Sequence, residues 1–281
     1  MALAAKGLEG IIANESKLSN VQGLEGKLCY LGYTIDELVE HTSFEEVIYL
    51  LHNGKLPNQS ELDGLISKLK ANRNLPDGII DFLKNAPKDA GPMDVIRTGV
   101  SMMGLYDTKG DHQNRSLNED RAIAIIAKIP LIVAAFHRFR QGLEIVESRE
   151  DLSEAAHFLY LINGEVPSKD AAKTLDVAYI LHADHGMNAS TFSSRVTVAT
   201  LSDMYSAITS AIGTLKGPLH GGANEGVIQM LEEIGAEDAV DAYVEGKLER
   251  KEKIMGIGHR VYKVLDPRAV SYTHLTLPTK A

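Results

Sequence analysis

Ser43-Phe-Glu-Glu-Val-Ile-Tyr-Leu-Leu-His-Asn-Gly54 reads as one complete helix, from start signal to stop signal. Ser43 and Glu46 form a capping-box pattern, in which hydroxyl and carboxylate each accept from a backbone N–H that the first turn leaves free. Val47, Ile48, Leu50 and Leu51 then line one apolar face at helical spacing. Asn53-Gly54 ends the run, and Pro57 follows. Upstream, Thr34-Ile-Asp-Glu37 repeats the capping box. Downstream, Ser60–Asn72 places Leu62, Leu65, Ile66 and Leu69 on one side. The same periodicity predicts helices over 77–85, 92–106, 117–140, 151–163, 168–183, 189–214, 222–234 and 236–247. Alternating patterns are almost absent. The glycine-rich start predicts only short extended pieces or a β hairpin, over Gly10–Leu31. The fold class is therefore mainly α.

The 281 residues give room for one large domain or two modest ones with a substantial core. A net charge of -9, with no useful Lys/Arg run, argues against a nucleic-acid partner, which would need a basic stripe. The single cysteine, Cys29, leaves no intrachain disulfide and no zinc-type cluster, so a reducing cytoplasmic setting is expected. Met1-Ala-Leu-Ala-Ala-Lys-Gly7 lacks the basic and apolar regions of a secretory signal. The most apolar stretch, Ala122–Phe136, is interrupted by Lys128 and Pro130 and is too short to span a bilayer. No membrane partner is expected, and the stretch reads as a buried helix bounded or kinked at Pro130. In Val196–Leu215, Ser202, Ser206, Ser210 and Thr214 form an i, i+4 row of small side chains beside Ala199, Ala207 and Ala211. Such a row lets helix axes approach closely, either within the chain or across a subunit interface.

Three histidine islands carry the chemistry. His182 and His185 sit three apart in Leu181-His-Ala-Asp-His-Gly-Met-Asn-Ala-Ser-Thr-Phe192, with Asn188, Ser190 and Thr191 just before a helical stretch. The spacing can put both imidazoles on one helix face as metal ligands, but no Glu completes an HExxH pattern and no third ligand is supplied, so no metal is expected. The polar cluster instead suits a substrate pocket at a helix start. His220 lies in Lys216-Gly-Pro-Leu-His-Gly-Gly-Ala-Asn224, a tight loop that fixes an imidazole while leaving one side open. It matches neither GxGxxG nor the Walker pattern. His259 repeats the design after Gly256 and Gly258, with Arg260 and Lys263 beyond it and Asp266-Pro-Arg268 closing the segment. Histidine can donate to a carbonyl oxygen as charge grows there, and arginine holds a carboxylate with a planar fork. Each island alone could be structural; three within eighty residues point to carbonyl chemistry on an anionic substrate.

In order and spacing these strings resemble the active-site segments of the citrate synthase family, in its short bacterial and archaeal form. Weaker likeness runs through Pro92-Met-Asp-Val-Ile-Arg-Thr98 back to Gly32-Tyr-Thr-Ile-Asp-Glu-Leu38, so it covers nearly everything up to Arg268. The resemblance implies a two-domain helical fold: a large domain over 1–220, the first part of a small domain, incomplete, over 221–269, and a non-native tail over 270–281. It implies an acyltransferase that condenses acetyl-CoA with oxaloacetate and hydrolyses the citryl thioester, with acetyl-CoA as substrate and no cofactor. By matching position, His220 would stabilise the enolate oxygen and His259 would polarise the ketone of oxaloacetate. His185, Arg268 and Asn188 would bind oxaloacetate, while Gly217, Gly256, Gly258 and Lys263 would lie against CoA. Family members of this type are homodimers with a site near the domain cleft, and Val196–Leu215 fits such an interface.

The family pattern also has a catalytic carboxylate and two more oxaloacetate-binding arginines after the Asp-Pro-Arg segment. The residues following Ala269, Val-Ser-Tyr-Thr-His-Leu-Thr-Leu-Pro-Thr-Lys-Ala281, supply none of these. The resemblance therefore implies a C-terminally truncated chain that should not condense its substrates, and a C-terminal third less stable than in the intact family. Gly186 and Gly91 stand where relatives often carry a carboxylate and a histidine; if Gly186 is helical it costs up to about 1 kcal/mol. Three rival readings remain at this stage. One is 2-methylcitrate synthase acting on propionyl-CoA, although Ala183-Asp184 looks more like the citrate enzymes. The second is a non-catalytic helical dimerisation protein. The third is a metal hydrolase using His182 and His185.

Overall fold

A computed structural model describes residues 14–258 and 261–269 of the chain. Among them the architecture is helical, with one small sheet at the start. Strands β1 (Ser19–Gln22), β2 (Lys27–Tyr30) and β3 (Tyr33–Thr34) pair antiparallel in the order β1-β2-β3, so the expected hairpin is a three-stranded meander. Ser19 faces Tyr30 across the first ladder, and Cys29 faces Thr34 across the second.

Both expected capping boxes form. Thr34 caps α1 (Ile35–His41) with Glu37 reaching back, and Ser43 caps α2 (Phe44–Asn53) with Glu46 reaching back. A third box, Asn58 with Glu61, opens α3 (Gln59–Ala71). Asn58-x-x-Glu61 is the same spacing with an amide in place of the hydroxyl. Helices α4 (Asp77–Asn85) and α5 (Pro92–Met103) follow, the latter ending in a short 3-10 turn over Gly104–Tyr106. Then comes the long α6 (Arg115–Arg140), whose N-cap is Asn114.

Helix α6 covers the helix expected over 117–140, and Pro130 does not bound it. It runs unbroken through Pro130, whose missing N–H and ring cost about 3 kcal/mol in a helix interior. Burial of Ile125, Leu131, Ile132, Ala134, Ala135 and Phe136 on either side offsets that cost. At 26 residues α6 is also long and apolar enough to cross a membrane, contrary to the reading of Ala122–Phe136 as too short. Here its apolar side chains pack inside the protein. With α4, α5 and α10 (Met204–Leu215) it builds the largest core cluster, around Ile79, Val100, Met103, Ile132, Phe136 and Tyr205.

A second cluster joins the sheet to α1, α2 and α8 (Lys169–His182) through Leu28, Tyr30, Leu38, Leu50, Val177 and Ile180. Helix α7 (Glu154–Asn163) buries its N-terminal residues Glu154, Ala155, Ala156 and His157. There Glu154 accepts from Arg73 at 2.8 Å, and Glu45 accepts from the Glu154 backbone N–H at 2.8 Å. Burial pushes the Glu45 carboxyl above its usual range.

The single helix expected over 189–214 is two. Helix α9 (Ala189–Ala199) stops, Leu201 takes a left-handed φ of 65°, and Asp203 caps α10. An aspartate followed by a hydroxyl three residues on is a helix start that the small-residue reading ran across. The row of small side chains packs the two helices within the chain. Thr214 Oγ1 donates to Ser193 Oγ at 2.9 Å, and the Ser210 and Ser193 hydroxyls lie 3.4 Å apart.

Past the His220 loop come α11 (Ala223–Ile234), a 3-10 turn over Glu237–Ala239, and α12 (Val240–Glu249). Neither helix buries a residue; Ile228, Leu231 and Leu248 stay more than half exposed.

Candidate active site

Helix α8 ends at His182, so His185 lies in the turn beyond it and does not share a helical face with His182. The His182 ring sits 2.7 Å from the Ala178 carbonyl, on the surface. Among the described residues, no three His, Cys, Asp or Glu side chains cluster as metal ligands. The turn is held from an unexpected direction. Tyr30, fully buried at the end of β2, donates its hydroxyl to the Ile180 carbonyl at 3.0 Å and accepts the Asp184 N–H at 3.3 Å. Burial pushes the Tyr30 phenol up to about 12. Asp184 in turn accepts from the Gly186 N–H at 3.0 Å. Gly186 has φ +66°, so it is no helix residue; the left-handed bend is what glycine tolerates.

The braced turn aims His185 at the segment around Tyr262. His185 Nε2 lies 3.0 Å from the Tyr262 hydroxyl, and the two rings meet edge to face with centroids 5.5 Å apart. The Arg268 guanidinium sits 5.8 Å from the centre of the same tyrosine ring, within cation–π range. Arg268 also donates to both oxygens of Asp266, at 3.0 and 2.6 Å. The N-terminal sheet carries this segment: the Lys263 N–H donates to the Gly23 carbonyl at 2.9 Å. A Cβ at Gly23 would come within 2.3 Å of the Val261 oxygen, so only glycine lets the two backbones meet. His185 and Arg268, far apart in sequence, are thus brought together by one buried tyrosine.

His220 is held by its own loop and by α9. Its N–H donates to the Gly217 carbonyl at 2.9 Å, and the Gly222 N–H donates to the same oxygen at 3.2 Å. A Cβ at Gly221 would meet Leu215 at 2.5 Å. Within this loop, His220 Nε2 is 2.7 Å from the Ser190 hydroxyl, five residues on from His185. Lys216 anchors the loop to the start of α5, donating to both oxygens of Asp94 at 2.7 and 2.6 Å. That hydrogen-bonded ammonium holds the Asp94 carboxyl below its usual range.

Asn188 caps α9, accepting the Thr191 N–H at 2.9 Å, which orients the helix start bearing Ser190. Gly256 and Gly258 take φ values of +81° and +88° on an exposed stretch, and the Lys263 side chain is exposed. His259 and Arg260 lie outside the described residues, as does the 270–281 tail. Sequence reasoning found the histidines but missed the braces. Tyr262 lies between His259 and Lys263, close enough in sequence to be found with them, while Tyr30 gave no signal, being 155 residues from His185.

Imidazoles fixed on turns, with a guanidinium near one of them, give this helical fold a cluster of donors of the kind that carbonyl and carboxylate groups accept from. The sequence matches the family described as citrate synthase, C-terminal domain, over residues 7–277. Citrate synthase 2 of Bacillus subtilis is 52% identical over 267 residues, which are 95% of this chain and 71% of that protein. A 2-methylcitrate synthase of Shewanella oneidensis is 45% identical over 95% of this chain and 70% of its own length. Thermoplasma acidophilum citrate synthase, solved as a ternary complex with carboxymethyl coenzyme A and oxaloacetate, superposes with a TM-score of 0.88 at 32% identity, over 94% of this chain and 70% of that one. The chain belongs to the citrate synthase family and so to the acyltransferases.

Proposed function

We propose that this site is the part, carried by these 281 residues, of an active site that condenses acetyl-CoA with oxaloacetate, with His220, His259, His185 and Arg268 in separate roles. A thioester methyl is a very weak carbon acid, so its deprotonation needs a donor at the enolate oxygen as charge develops. His220 is that donor. Its loop geometry and the Ser190 contact support this, because a preorganised imidazole spends nothing on reorientation. His259 polarises the ketone of oxaloacetate. His185 and Arg268 hold its carboxylates, with Asn188 shaping the same edge. Gly217, Gly256, Gly258 and Lys263 lie along CoA, and acetyl-CoA enters as substrate with no cofactor. The observation that carries the reading is the meeting of His185 and Arg268 across Tyr262.

The enzyme is proposed to act as a cytoplasmic homodimer, with the division between domains near residue 220. Exposed Phe192, Val196 and Val198 on α9 support a subunit contact. The chain spans about 70% of its relatives' length, and the catalytic carboxylate that the family resemblance implies after Arg268 is proposed to lie outside these 281 residues. The 281-residue chain is therefore proposed to bind oxaloacetate without turnover. Calorimetric titration should show saturable oxaloacetate binding and no release of CoA from acetyl-CoA. Absence of binding would sink the reading of the site, and turnover would sink the expectation of inactivity.

The similarity to a 2-methylcitrate synthase favours one second reading, propionyl-CoA as acyl donor. One methylene is worth only about 1–3 kcal/mol in a pocket. Relative kcat/KM for acetyl- and propionyl-CoA, measured on a chain extended to its relatives' length, decides between the two.

A further inference from the structure

Tyr262 touches both groups assigned to the dicarboxylate, and through different parts of one side chain. Its hydroxyl meets His185 Nε2 at 3.0 Å, and its ring lies beneath the Arg268 guanidinium at 5.8 Å. The side chain is 3% exposed, so it is held by its surroundings and cannot swing into solvent. Each partner is braced from behind: the His185 turn by Tyr30, and Arg268 by Asp266. A dicarboxylate of fixed length is recognised only if its two cationic or donor groups keep a fixed separation. A rigid aromatic side chain bridging them can set that separation.

We propose that Tyr262 is a positioning residue for dicarboxylate binding, its hydroxyl orienting the His185 imidazole and its ring seating the Arg268 guanidinium. The inference rests on His185 and Arg268 being oxaloacetate contacts. It adds that one side chain touching both of them sets how far apart they stand. Imidazole orientation is governed by what each ring nitrogen bonds, so the hydroxyl also helps choose which nitrogen carries the proton.

The test uses the full 281-residue chain with 15N-labelled histidine, its His185 signals identified by their loss in His185→Gln. Tyr262→Phe keeps the ring beneath Arg268 and removes only the hydroxyl; Tyr262→Leu removes both. The Phe variant should move the His185 ring 15N signals in the unliganded protein. It should weaken oxaloacetate binding about five- to tenfold, the weight of one hydrogen bond. Pyruvate, which has the same ketone and one carboxylate, should lose less. The Leu variant should bind oxaloacetate more weakly still. Adding Tyr262→Phe to His185→Gln should cost nothing further, because the hydroxyl acts through that imidazole.

If Tyr262→Phe changes only the melting temperature, with His185 signals and oxaloacetate affinity as in the wild type, Tyr262 is packing and the proposal is wrong. Should the wild-type chain itself fail to bind oxaloacetate, the proposed function falls and this inference falls with it. Wild-type binding with an indifferent Phe variant refutes the inference alone.

Discussion

His157 offers a sharp test of how burial and charge act in this fold. It lies on α7, is 1% exposed, and its Nε2 is buried with no hydrogen-bond partner. Burial, with Arg73 adding to it, pushes its pKa from 6.5 down to about 4. The unfolded chain therefore takes up a proton below pH 6.5 that the folded protein refuses until about pH 4. Stability should fall as pH drops through that window and level off beneath it. A shift of this size corresponds to about 2 kcal/mol lost between pH 7 and pH 5. Glu45, whose carboxyl burial raises, acts in the opposite sense, gaining stability as pH falls through its folded pKa. It is present in any His157 variant, so a comparison cancels it. His157→Met removes the titration and the unpartnered nitrogen while filling similar space. Urea unfolding followed by circular dichroism at pH 7, 6 and 5 measures both proteins; there is no tryptophan to follow by fluorescence. The wild type should lose about 2 kcal/mol relative to the variant on going to pH 5. A difference between the two that stays constant across this range would refute the reasoning.

Three further outcomes are expected. Gly221→Ala should break the His220 loop, since its Cβ would collide with Leu215 at 2.5 Å; faster amide exchange at 217–222 and loss of oxaloacetate-independent order at His220 by NMR would register it, and an unchanged loop would count against the packing described. Asn58→Ala removes one half of a capping box and should destabilise by about 1 kcal/mol, read as a shift in the urea midpoint. Limited proteolysis should cut first beyond residue 220, because α11 and α12 bury no residue while α6 buries nine; equal resistance along the chain would contradict this.

Most helices were legible because local chemistry states them. Capping boxes at Thr34 and Ser43, a glycine stop at Gly54 and 3.6-residue periodicity are encoded within a few residues of each other. Where two local signals competed, the reading slipped. The small-residue run hid the Asp203 cap, and Pro130 left open a helix bounded there, an alternative that the continuous α6 removes. The histidine islands were equally legible, since glycine and proline around an imidazole are unusual in a solvated helix. Their likeness to one family then named the chemistry.

What tertiary structure alone decided is which residues stand behind those histidines. Tyr30 reaches the His185 turn only because the N-terminal sheet folds against α8. Gly23 meets Val261, and Lys263 bonds to Gly23, only because the β1–β2 turn and the Arg268 segment share one surface. Periodicity and capping depend on neighbours in sequence, so the chain can be read for them directly. The separation of an imidazole and a guanidinium eighty-three residues apart depends on how every intervening helix packs, and no local pattern carries that information.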